Sequence, residues 1–341
     1  MIRKVYNPQP LELKLGYSSD KYYSSYKMMS KSMHNWQQLC PYQLCPNGLS
    51  GKHKVLQLDS MQIAYAERNG GTMHNAGSPK DSITIAVVEK CKDKACFGHL
   101  KLKEGDILFF DDSQYYSFIT NDTIKFTALT IQKSSIKAKY SKLFEALNLS
   151  IKDIDMRFTT TLHEAWKHFA KLSHKKIDIL IYKKTEEEIL EVIMKLLLEQ
   201  TPCKSKLSNG EKVALTIRDK VFYHMDGNIR ISELAKEYKV SEQTLQNSFK
   251  SLFGFTPKLF VRLLKLNLAH QELQKSYPSQ NTVSKIAAKW GFKHMGRFSA
   301  YYKELFGKNP SQTLKNIQVS TKGLSEECVL RQEDIMFQTI S

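Results

Sequence analysis

The chain has few of the residues from which disulfide scaffolds, membrane spans and enzyme sites are built. Cysteine is scarce, with six in 341 residues: Cys40, Cys45, Cys91, Cys96, Cys203 and Cys328. So few, so scattered, do not make a disulfide framework, and a reducing cytosol would not keep one oxidised. No stretch of about 18 apolar residues exists, which excludes a helical membrane span. The first twenty residues, MIRKVYNPQPLELKLGYSSD, hold no apolar core of a secretory signal, so a cytoplasmic protein is expected. His53, His74 and His99 stand alone and no H-x-H pair occurs, so a metal-dependent oxygenase is not expected. A glycine-rich phosphate loop and a nucleophile motif are both missing, which leaves no expected enzyme activity, cofactor or metal site. Negative charge is short as well: 34 acids face 51 lysines and arginines, a formal net charge of +17.

What is present concentrates in the last third. Ile231 to Pro257 reads ISELAKEYKVSEQTLQNSFKSLFGFTP. Ile231, Leu234 and Ala235 recur at helical spacing, and Ala235 is small where two helices would cross. Ser232 with Glu233 is a helix-start signal. Tyr238, Lys239 and Val240 form a turn, and Ser241 caps a second helix whose stripe is Leu245, Phe249, Leu252 and Phe253. Gly254 stops it. This order is a helix-turn-helix, in which the second helix offers its polar face to base edges. A second copy, VSKIAAKWGFKHMGRFSAYYKELFGKNP, runs from Val283 to Pro310. Val283, Ile286 and Ala287 form its first stripe, with Ala288 as a further small residue. Gly291 makes its turn, and Phe298, Tyr302 (or Tyr301) and Leu305 its second stripe. The shared Leu-Phe-Gly and following proline make an internal repeat. Between the copies, Phe260, Leu263, Leu264, Leu268 and Leu273 fit a helix of about 27 Å, which would hold two reading helices about 34 Å apart, one turn of DNA.

Residues 231–315 resemble the DNA-binding domain of AraC/XylS-type transcription regulators, most specifically in IAAKWGFKHMGRFSAYYKELFGKNPSQTL. The resemblance implies a bacterial regulator, contacts in two successive major grooves of double-stranded promoter DNA, and activation through RNA polymerase as the common mode. Carried over by position, the base-contacting residues are Gln243, Gln246 and Asn247 in the first helix, and Met295, Gly296, Arg297 and Ala300 in the second. Gln and Asn bond adenine bidentately and Arg bonds guanine, whereas Gly296 and Ala300 offer no such group. Ser241, Thr244, Lys250, Lys293, His294 and Lys303 are the expected phosphate contacts. Residues 226–315 hold fifteen lysines and arginines against six acids, a net +9, the electrostatic footprint of phosphate binding. A Lys-rich solvated surface would read the same, so charge counts only together with the two motifs. A low-specificity nucleoid or adaptor protein is the alternative.

The expected fold is α+β: an N-terminal segment (1–49), a cupin-like β-barrel or jelly-roll sensor domain (50–133), a helical linker with possible dimerisation helices (134–200), a linker (201–210), an all-α double helix-turn-helix domain (211–318) and a flexible tail (319–341). Alternating runs such as KVLQLDSMQIAYAER, SITIAVVEK and DTIKFTALTIQ, with turns at Glu104-Gly105-Asp106, Asp111-Asp112 and Asn121-Asp122, give the strands. The stretch LKEGDILFFDDSQYY carries the resemblance to the sensor domain of the same family. An effector pocket is expected at Tyr65, His74, Phe109 and Tyr116, with Tyr115 and Phe118 as further aromatics; the bland alternatives are ordinary core rings and a solvated loop histidine after Gly70-Gly71. Cys40/Cys45 and Cys91/Cys96 share a C-x4-C spacing, which leaves thiol or metal sensing open beside incidental thiols. The Glu186-Glu187-Glu188 run is expected to open a helix whose face of Ile189, Ile193, Leu196 and Leu197 either packs on the barrel or meets a second copy in a homodimer.

Overall fold

The computed structural model describes residues 8–11, 15, 17–25, 28–29, 38–46, 48–113, 116–136, 150–151, 160–161, 163–164, 179–198, 207–223 and 229–315. The expectations for Tyr115, Cys203, Cys328, residues 201–206 and the tail lie outside them, as do the side chains of Cys40, Leu196 and Leu197.

Among the described residues twelve strands form two antiparallel sheets. The seven-stranded sheet runs β1 (Ser18–Tyr23), β3 (Ser50–Gln57), β4 (Met61–Asn69), β11 (Ile124–Gln132), β6 (Ser82–Cys91), β9 (Ile107–Asp111) and β12 (Ser150–Ile151). The five-stranded sheet runs β2 (Gln38–Gln43), β5 (Thr72–Ala76), β10 (Tyr116–Thr120), β7 (Ala95–Phe97) and β8 (Leu100–Lys101). The sheets therefore recruit β1 and β2 from before residue 50 and β12 from after residue 133. Within 50–133, two further elements were not expected as strands. One is β5, which follows the Gly70-Gly71 turn and carries His74; the other is β7, which lies within the lysine-rich KCKDKAC segment.

Eight α-helices follow among the described residues: α1 (Ile179–Leu198), α2 (Asn209–Tyr223), α3 (Ile231–Glu237), α4 (Glu242–Phe253), α5 (Pro257–Lys275), α6 (Val283–Lys289), α7 (Met295–Phe306) and α8 (Pro310–Lys315). No helix among the described residues is long and apolar enough to cross a membrane. The chain stacks in layers. Ile189, Leu190, Ile193 and Met194 of α1 pack on the outer face of the seven-stranded sheet, against Leu56, Ile63, Ile85, Phe109 and Leu129. Phe97, Leu108, Phe110, Tyr116, Phe118 and Ala128 fill the space between the sheets. Tyr42, Leu44, Met73, Cys96 and Ile119 on the outer face of the five-stranded sheet join the core of α2 to α8.

This stacking corrects one expectation and matches one of the two alternatives given for another. The helix begins at Ile179, so Glu186 is not in its first turn; the carboxylate instead accepts from the Ser60 backbone N–H (3.1 Å) and hydroxyl (3.3 Å), pinning α1 to the β3–β4 turn. The apolar face offered as a dimer contact seats on the sheet of its own chain, with Val192 left exposed.

Candidate nucleic-acid interface

The first reading unit is set by local chemistry. Leu234 and Ala235 of α3 are buried, and Ile231 is half-buried. The helix starts without the expected Ser232 signal: its N-cap is Arg230, which makes no side-chain cap. Lys239 takes φ +53° in the turn, a left-handed conformation the sequence did not mark because the residue is not glycine. Ser241 caps α4 by accepting from the Thr244 N–H at 3.0 Å, and its hydroxyl also meets Thr244 Oγ1 at 2.8 Å. Leu245, Phe249, Leu252 and Phe253 are buried. Gly254 ends α4 at φ +76°; a Cβ there would also strike the Asn121 side chain, which donates to the Phe253 carbonyl.

The second unit repeats this. Thr282 caps α6, Ile286 and Ala287 are buried, and Gly291 turns at φ +80°. Phe298, Tyr302 and Leu305 of α7 face inward, while Tyr301 is half-buried beneath the Arg262 guanidinium at 4.1 Å. The Tyr302 hydroxyl meets His270 of α5 and donates to Thr313 of α8 at 2.8 Å, so one phenol ties three helices. Burial holds that hydroxyl well above its usual pKa and pushes His270 down to about 4, so both are neutral bonding groups at pH 7. Glu272 accepts from Lys289 (3.0 Å) and from Trp290 Nε1 (2.8 Å), fixing α6 to the end of α5. At 19 residues α5 is about 28 Å long, a rigid spacer for the two units. Along it Leu268 is half-buried, while Leu266 and Ala269 take buried positions.

The expected DNA-facing residues begin at the N-terminal ends of α4 and α7 and run along the helices to Lys250 and Lys303 in their last turns. Ser241, Gln243, Thr244, Asn247 and Lys250 are exposed and Gln246 is half-buried; Gln243 Nε2 donates to Asn247 Oδ1 at 3.0 Å, so the pair presents one amide surface. On α7, Lys293, His294, Gly296, Arg297, Ala300 and Lys303 are exposed and Met295 is half-buried against the core. No side chain lies near a Cβ built on Gly296, so the backbone there is open to close approach.

The opposite ends of the same helices dock on the five-stranded sheet. The Gln43 backbone N–H donates to Asn267 Oδ1 (2.8 Å), Asn267 Nδ2 returns a bond to the Gln43 carbonyl (2.8 Å), and Gln43 Nε2 donates to the Leu305 carbonyl (2.6 Å). Cys96 Sγ donates to the Leu252 carbonyl, and buried Arg218 donates to the Gly98 carbonyl at 2.8 Å. Lys101 of β8 pairs with Glu211, and Asn75 of β5 donates to the Tyr223 hydroxyl at 3.0 Å. Sequence reasoning missed this seam. Its one legible sign was Asn267, a polar residue inside the apolar stripe of the spacer helix.

Of the expected effector residues, His74 is buried between the sheets and lines an interior cavity, and Tyr65 lines a smaller one beside His53. Tyr116 stacks on Phe97 (5.0 Å) within the same interior. Phe109 points the other way, into the layer under α1. The thiols are shielded: burial raises the pKa of Cys45 and Cys91 and pushes Cys96 up to about 12, which keeps thiolate scarce. Among the described residues no group of three or more His, Cys, Asp or Glu comes together as a metal site.

The family model described as a helix-turn-helix domain matches residues 234–316, spanning both units. The probable thc operon regulatory protein of Rhodococcus erythropolis is 32% identical over 94 residues, 28% of this chain and 28% of that protein. The XylDLEGF operon transcriptional activator of Pseudomonas putida is 35% identical over 88 residues, 26% of this chain and 27% of that protein. Residues 234–316 thus form a helix-turn-helix domain similar to those of AraC/XylS-type transcription regulators. The match spans little more than a quarter of either relative. The crystal structure of the AraC-like transcriptional activator CuxR overlaps 78% of this chain and 98% of its own, at 11% identity and a TM-score of 0.37.

Proposed function

We propose that the protein is a sequence-specific, DNA-binding transcription regulator whose N-terminal sandwich, cupin-like in architecture, receives an effector. The observation that carries this reading is the two-ended use of α4 and α7. Their N-terminal halves carry exposed amide and guanidinium groups of the kind that read bases, Lys250 and Lys303 stand exposed further along, and the Leu252 and Leu305 carbonyls at their C-terminal ends are held by the sandwich. A low-specificity nucleoid protein would need the positive charge but not two matched helix-turn-helix units on one spacer. Activation by contact with RNA polymerase is the mode the resemblance of the helix-turn-helix domain favours. No enzyme activity is part of this reading.

Two substitutions separate readout from grip. Arg297→Ala is expected to cost about 1–3 kcal/mol at particular base pairs and little elsewhere, measured by binding to operators with single-base changes. Equal losses on specific and random duplexes would remove Arg297 from base readout. Lys303→Ala is expected to weaken binding to every sequence alike and to lower the slope of log K against log salt by about 1. An unchanged slope would show that Lys303 meets no phosphate.

A further inference from the structure

The space between the sheets holds a basic cluster that DNA binding does not use. Arg68 of β4, His74 of β5 and His53 of β3 are buried there, with 1%, 1% and 2% of their surface exposed. Their positions follow from strand parity: Ala64, Ala66 and Arg68 share the inner face, whereas Glu67 faces outward and pairs with Lys125 at 3.0 Å. Arg68 and His74 line a cavity of about 40 Å³ whose remaining wall is apolar, formed largely by Phe97, Phe110, Phe118, Phe126 and Ala128. The Arg68 guanidinium also lies over the Phe118 and Phe126 rings, at 5.3 and 5.1 Å.

Arg68 Nη1 donates to His74 Nε2 at 2.9 Å. A guanidinium only donates, so Nε2 is the acceptor and the ring proton resides on Nδ1. That Nδ1–H is buried and meets no acceptor among the described residues. Burial, then the charges of Arg68 and His53, hold the His74 pKa well below its ordinary value, so both groups that act on it electrostatically are bases. The guanidinium also bonds the Tyr23 hydroxyl, whose pKa burial raises to about 12, so that partner is neutral and a buried donor beside this cation favours an anionic acceptor. The size of the cavity narrows the choice: one water needs about 10–15 Å³, and a dry void that takes benzene is about 150 Å³. A group of a few heavy atoms fits between those limits.

We propose that this cavity binds a short-chain carboxylate, with its oxygens on the His74 Nδ1–H and the Arg68 guanidinium and its one- or two-carbon tail against the aromatic wall. The inference rests on the effector reading of the sandwich and names the ligand class for it. The site is also placed to act on the DNA-binding half. On β5, His74 faces the cavity while its neighbours Met73 and Asn75 face the helices, Met73 in their shared core and Asn75 bonded to Tyr223. On β10, Phe118 faces the cavity while Ile119 joins the same shared core. A ligand that moves either strand moves the seam.

The test is calorimetric titration of the full chain with sodium formate, acetate, propionate and chloride at constant ionic strength. Each sample is also assayed for specific DNA binding. Saturable binding of acetate or propionate with a dissociation constant of about 1 mM or tighter is expected, since a charge-assisted pair must compete with water. His74→Phe, which keeps a ring and removes the donor, should weaken it at least about tenfold. Ala128→Val, which fills the cavity and leaves both bases in place, should do the same while its melting temperature shows that it is folded. Equal affinity in the wild type and both variants would overturn the proposal, as would chloride binding as tightly as acetate. No carboxylate binding with specific DNA binding intact would overturn it and leave the regulator reading standing. Carboxylate binding without specific DNA binding would support the site and overturn that reading.

Discussion

Asn267→Ala is expected to destabilise the chain by about 2–6 kcal/mol, because it strips two buried backbone groups of Gln43 of their partners, at roughly 1–3 kcal/mol each. Asn267 is buried on α5 and brackets Gln43, accepting from its N–H and donating to its carbonyl, while its amide also donates to Leu263 one turn back. Gln43 reaches on to the Leu305 carbonyl at the end of α7. One strand thus holds the spacer helix and the second reading helix together. The expected readout is urea unfolding of the full chain. Where the wild type unfolds in one transition, the variant should show the helical half and the sandwich unfolding separately. A single transition with an unchanged midpoint would mean that the seam contributes nothing to coupling.

Acid is expected to open the same seam from another side. Ser208 and Glu211 form a reciprocal cap at the start of α2: Glu211 Oε2 accepts from the Ser208 N–H (3.0 Å), and Ser208 Oγ accepts from the Glu211 N–H (3.2 Å). The same carboxylate accepts from Lys101 of β8 and from the Ser251 hydroxyl (2.9 Å). Burial alone would raise its pKa; the Lys101 bond first, then the Ser208 and Ser251 bonds, outweigh burial and bring it to about 2. A depressed carboxylate pKa contributes stability that is present in full above the unfolded value near 4.5. That stability is lost as pH falls toward 2. Glu211→Gln should therefore be less stable than the wild type at pH 7 and should converge with it near pH 2, by denaturant midpoints measured across that range. Parallel curves for the two proteins would show that Glu211 gains nothing from Lys101 in the fold.

The helix-turn-helix units were legible because everything that makes them is local. The stripes, the Ser241 cap, and the stops and turns at Gly254, Gly291 and Gly307 all lie within a few residues of the groups they serve. The sandwich was harder to read. Its seven-stranded sheet is covered on both faces, by α1 and by the other sheet, so β9 (Ile107–Asp111) is almost uniformly buried and gives no parity signal. Phe109 was therefore assigned to the interior although it faces α1. His74 carried too little local sequence to reveal a strand, since β5 is five residues long. The Gln43–Asn267 clasp spans 224 positions, and no short pattern announces it. Arg68 had a sign that went unread: a charged residue in step with Ala64 and Ala66 on the inward face of β4.

Selection of bound sites from random duplex DNA by the full-length protein at near-physiological salt tests the central claim most directly. Two exposed recognition helices on one rigid spacer predict an asymmetric motif of two blocks about ten base pairs apart, bound far more than tenfold tighter than random sequence. Recovery of no motif, with specific and random duplexes bound within about tenfold of each other, would contradict the account.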